Sequence, residues 1–114
     1  MPAVFVIAED WTLRAGVRAE LRERGIAALG METADDAGAA LASNEMPVVI
    51  VLDASAKAAT EPAIDRLAER VPTILIASRS EATPRLKAAK ILYRPVRIAE
   101  IVEAVVQILE QHKT

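Results

Sequence analysis

Short, unbroken apolar runs alternate along the chain with stretches in which apolar residues recur every three or four positions. Residues 3–8 (AVFVIA) form a continuous run rich in β-branched side chains, which predicts a strand buried on both faces, and the run ends at Glu9 and Asp10. From 12 to 24, Leu13, Val17 and Leu21 recur among Arg and Glu, and Gly25 follows as a stop, so an amphipathic helix is expected. Residues 26–31 read as a weak second strand. Thr33 then caps a helix running to about Ser43, with Asp35 and Asp36 in the first turn, where the helix dipole favours anions. Its alanines and Gly38 are expected to pack closely on a sheet. Residues 48–52 (VVIVL), entered through Pro47 and closed by Asp53, give the clearest strand. A helix over 61–70 has Pro62 in its first turn, where a missing N–H costs little. The run TILIA at 73–77 is a fourth strand, a short helix is expected over 82–89 behind Pro84, and 90–93 is a brief fifth strand. Ile98, Ile101, Val102, Val105, Ile108 and Leu109 mark one broad stripe of a C-terminal helix.

Strands alternating with helices in this way predict a doubly wound α/β domain: a five-stranded parallel sheet, flavodoxin-like, with helices on both faces and right-handed crossovers. The 114 residues suffice for one core and are too few for two, so 1–114 is expected to be a single domain. A hydrophobic fraction of 53% with 26% charged residues argues against disorder. The formal charge of −2 offers phosphate backbones no broad basic field, so direct nucleic-acid binding is not expected and partners should be proteins. There is no cysteine, which suits a cytoplasmic setting, and no secretory signal or apolar stretch long enough for a bilayer. The one histidine, His112, lies near the C-terminus, and no glycine-rich phosphate loop is present, so hydrolase and nucleotide-binding chemistry are disfavoured. The chain is expected not to be an enzyme.

In open parallel sheets ligands bind beyond the carboxyl ends of the strands, which directs attention to the residues that end each one. They are Glu9 and Asp10, Asp53, Ala77 and Ser78, and Tyr93, Arg94 and Pro95. Three carboxylates at one sheet edge raise each other's proton affinity unless a cation sits among them. An all-oxygen set suits Mg²⁺ or Mn²⁺, and a carboxylate beside such an ion can act as a nucleophile toward a phosphoryl group. Taken singly, such acids are more often solvated turn residues or helix caps.

The acidic pair in VFVIAED, the acid closing PVVIVLD, the proline-led strand PTILIAS and the tripeptide YRP resemble, in order and over nearly the whole chain, the receiver domains of bacterial two-component response regulators. The resemblance implies that Glu9, Asp10 and Asp53, with the backbone carbonyl of Ser55, hold Mg²⁺ or Mn²⁺ weakly. It also implies that Asp53 accepts a phosphoryl group from a histidine kinase, and that the Arg94–Pro95 bond is cis. The sequence departs from the pattern where a receiver switches. Ala77 falls where a Thr or Ser is expected, and Ser78, one residue on, reaches the site only if the strand end is bulged. Arg94 replaces a lysine, exchanging a compact ammonium for a planar fork. Ile91 stands at the aromatic position, with Tyr93 two residues late. The intervals between Asp53, Ala77 and Arg94 are short, so the third and fourth helices should be trimmed. Two readings stay open, a phosphorylatable switch and a pseudo-receiver that serves as an interaction module without being phosphorylated.

Smaller expectations complete the reading. ASAKAATEP, after Asp53, reads as a flexible loop from which Lys57 has the length to reach the acidic pocket. Trp11 is expected to pack its ring on the surface, the alternatives being that it shields the pocket or meets a partner. Val106 extends the apolar surface of the last helix past its core stripe, which raises a homodimer, or a contact with a downstream protein, through that face.

Overall fold

The structure is a computed structural model that describes residues 3–112; the extreme ends of the expected 1–114 domain lie outside the described residues. The elements are β1 (Val4–Ile7), α1 (Trp11–Glu23), β2 (Ala28–Met31), α2 (Ala34–Ala42), β3 (Val49–Asp53), a 3₁₀ turn (Lys57–Thr60), α3 (Pro62–Arg70), β4 (Thr73–Ala77), β5 (Lys90–Tyr93) and α4 (Ile98–His112). All strand pairs are parallel and the five-stranded sheet runs β2-β1-β3-β4-β5, the flavodoxin-like order expected from the sequence. Because β1, β3 and β4 lie inside the sheet with helices on both faces, every residue in them is buried, as their unbroken apolar runs require.

Alternation along these strands divides the core into two. Phe5, Ile7, Ile50, Leu52 and Leu75 face α2 and α3, together with Ile64 and Leu67. Val4, Val6, Val49, Val51, Ile74 and Ile76 face α1 and α4, where they meet Val17, Leu21, Ile101, Val102 and Val105. Val106 is half-buried, packed at the margin of this second core.

Four expectations are corrected. No helix forms over 82–89: the residue before Pro84 is held out of the helical region and Pro84 lacks a donor, so too few residues remain to nucleate a turn. The segment crosses as irregular chain, pinned by Leu86 and Ala88 against the first core. The stretch after Asp53 is not a flexible loop, because Ala56, Ala58 and Ala59 are buried and draw it into the 3₁₀ turn. Gly38 packs on nothing; it faces solvent, and a methyl group placed on it would meet no atom within 4 Å. Trp11 neither packs nor shields, being 70% exposed at the start of α1.

Candidate functional site

Asp53 is the last residue of β3, paired in register with Ile76 of β4, and its side chain is only 2% exposed. A carboxylate so placed must be hydrogen-bonded to remain charged. Its Oδ1 accepts from the Ser55 amide at 3.0 Å, the Ser55 hydroxyl at 2.9 Å and Arg94 Nη1 at 3.2 Å. Its Oδ2 accepts from Arg94 Nη2 at 3.0 Å. The arginine thus grips both oxygens in a two-pronged pair. Burial alone would push the Asp53 proton affinity up, but the bonds from Arg94 and Ser55 outweigh it and hold the carboxyl below its usual range. The same bond to Asp53 raises Arg94 against the opposing effect of its burial, with Asp10 and Glu81 adding attraction.

Arg94 is delivered by the edge strand. Its amide donates to Ala77 O at 2.8 Å, extending the β4–β5 ladder by one residue, and the Arg94–Pro95 bond that follows is cis, as expected. Beside it the Arg79 guanidinium lies 4.3 Å from the centroid of the Tyr93 ring. Ile91 and Tyr93 are 39% and 37% exposed, because the irregular segment before β5 gives them no covering helix.

The other expected site residues take different partners. Asp10 caps α1, its Oδ1 accepting from Thr12 N at 2.9 Å and Leu13 N at 3.4 Å. Glu9 Oε2 accepts from the Lys57 amide at 2.8 Å, so Lys57 meets an acid through its backbone. Ser55 donates from both its amide and its hydroxyl to Asp53. Ser78 is not drawn in: β4 runs regularly to Ala77 without a bulge, and the Ser78 hydroxyl pairs with that of Ser80 at 2.8 Å. Ala77 itself brings a methyl group and no hydroxyl. His112 is exposed at the end of α4.

The fit of a divalent ion follows from these bonds. Mg²⁺ and Mn²⁺ need several oxygens with lone pairs free to converge. Glu9, Asp10 and Asp53 are each engaged by a different donor, and among the described residues no group of three or more His, Cys, Asp or Glu is placed to hold a metal. The expected set of Glu9, Asp10, Asp53 and Ser55 does not fit the ion in this arrangement.

Arg14, one polar position of the amphipathic pattern, supports the turn that carries Glu9 and Asp10. Its side chain is 13% exposed; it donates to Ala8 O at 2.6 Å and pairs with Glu32 at 3.3 Å, tying the β1–α1 turn to β2. Its stem lies over Gly30, where an added methyl would collide with it and with Arg18. One turn beyond the Asp10 cap and beside Leu13, its position was the available signal.

No family model and no curated protein matches the chain. Among solved structures it is similar to the response regulator receiver protein of Burkholderia phymatum, with a TM-score of 0.79 and 24% identity over 96% of each chain. It is also similar to the receiver domain of the Francisella response regulator 1452, with a TM-score of 0.76 and 17% identity over 98% of this chain and 99% of that one. The receiver domain of NtrX from Brucella abortus gives a TM-score of 0.75 and 18% identity over 94% of this chain and 98% of that one. Against a longer NtrX chain it spans 27% of the length. At these identities the likeness speaks for architecture, and this chain has the fold of a response regulator receiver domain.

Proposed function

We propose that this chain is a signalling module of the two-component type, not an enzyme, in which Asp53 accepts a phosphoryl group from a histidine kinase in the cytoplasm and passes the change on by a protein contact. The observation that carries the reading is the ionised carboxylate closing the central strand in the grip of a positive fork. Oδ1 is crowded by Ser55 and Arg94, whereas Oδ2 accepts from Arg94 alone and keeps a lone pair for attack. In the transfer a bond forms between Oδ2 and phosphorus while the bond from phosphorus to the kinase's imidazole nitrogen breaks, and that nitrogen keeps the electron pair. Arg94 then has a dianionic group to hold, for which its planar fork is suited. The side of β5 bearing the exposed Ile91 and Tyr93 is the surface offered to a downstream protein or a second copy.

A second reading, the unphosphorylated interaction module, is favoured by Ala77, which offers a transferred group no hydroxyl, and by Arg94 already closing both oxygens. Intact-mass measurement after incubation with acetyl phosphate separates the two. The first expects one phosphoryl group on the wild type and none on Asp53→Ala. An unmodified wild type, beside a standard receiver that labels fully, establishes the second.

A further inference from the structure

We infer that the Arg94 guanidinium occupies the electrostatic place of a divalent cation at Asp53, so that the acid site of the folded protein is balanced without metal. What decides this is the room the cation leaves at the carboxylate. A lysine ammonium is a point charge that can satisfy one carboxylate oxygen and leave the other to a metal ion. The arginine fork takes both, at 3.2 and 3.0 Å, while Ser55 adds its amide and hydroxyl to Oδ1. Mg²⁺ could reach Asp53 only through the lone pair of Oδ2 that Arg94 leaves, and two cations would then share one nearly buried carboxylate. The backbone from which the fork extends is fixed, since the Arg94 amide donates to Ala77 O at 2.8 Å.

The two remaining acids do not compensate. Asp10 commits Oδ1 to the amides of Thr12 and Leu13, and Glu9 commits Oε2 to the Lys57 amide that anchors the 3₁₀ turn, so each would have only its other oxygen to give a metal. The arginine needs neither acid. In the unphosphorylated protein the charge of Asp53 is therefore met inside the chain.

The test is a Mn²⁺ titration followed by NMR line broadening, with melting temperature measured in Mg²⁺ and in EDTA, on wild type, Arg94→Lys and Arg94→Gln. Wild type should show no broadening centred on Asp53 and the same melting temperature in both buffers. Arg94→Lys, which frees one oxygen, and Arg94→Gln, which removes the charge, should bind Mn²⁺ at Asp53 about tenfold more tightly or better, and gain melting temperature in Mg²⁺. Should Arg94→Gln fail to fold, Arg94→Lys retains the charge and carries the comparison. Broadening at Asp53 in the wild type overturns the inference, and so does a failure of the folded variants to take the metal. No arm depends on phosphorylation, so its outcome is separate from the labelling experiment.

Discussion

A carboxylate that is 2% exposed stays ionised only if its partners repay the lost hydration, and at Asp53 the repayment comes from Arg94 and Ser55. Removing one partner leaves the other charge stranded, which for fully buried pairs costs about 3–5 kcal/mol. The Arg94 side chain is 36% exposed, and solvent screens part of the loss, so Arg94→Ala should destabilise by about 1–3 kcal/mol in urea unfolding near neutral pH. The pH dependence has a definite sign. Asp53 is lowered from 3.8 on folding, so its contribution is full above that value and is lost as pH falls through the lower folded value. Asp53→Asn should flatten the acid limb of a plot of urea midpoint against pH; an unchanged limb would show that other carboxylates govern it. Asp53 and Arg94 were legible in the sequence because both end strands of a parallel sheet, where sites are built. The partners of Glu9 and Asp10 were not. Proximity of acids in sequence suggests a shared cation, but an acid one residue before a helix finds backbone amides first.

At the scale of elements, the strands and the long helices follow from hydrophobic period, and the two errors fall where period gives no guidance. The segments around 54–60 and 82–89 are rich in alanine, which is small enough to be core or loop and so marks neither. Tertiary contact decided both, burying Ala58 and Ala59 in one and leaving the other irregular beside Pro84. The glycines separate in the same way. Gly25 stands at φ 75° just after α1, a conformation that costs a residue with a side chain about 1–2 kcal/mol, whereas Gly38 is an exposed position inside α2. Gly25→Ala should therefore destabilise by about 1 kcal/mol, and Gly38→Ala should stabilise by about 0.5–1 kcal/mol. Chemical denaturation of the two variants checks both signs. A destabilising Gly38→Ala would mean that α2 has a close neighbour at that point.

Across the whole molecule the sheet is covered unevenly. β1 and β3 have strands on both sides and helices on both faces, whereas β5 pairs only with β4 and keeps Ile91 and Tyr93 exposed. Among the described residues no helix is long and apolar enough to cross a membrane. Local opening is easiest where few apolar contacts must break, so amide hydrogen exchange should be fastest among the strands at Lys90–Tyr93 and slowest at Val4–Ile7 and Val49–Asp53. Uniform protection across all five strands would contradict this grading. Its consequence reaches Asp53. Arg94 is the next residue after β5 and is anchored through the same ladder, so each fraying of the edge strand carries the guanidinium away from the carboxylate. The closed pair can be no more persistent than the edge strand that carries Arg94, and anything that binds alongside β5 makes that strand open less often.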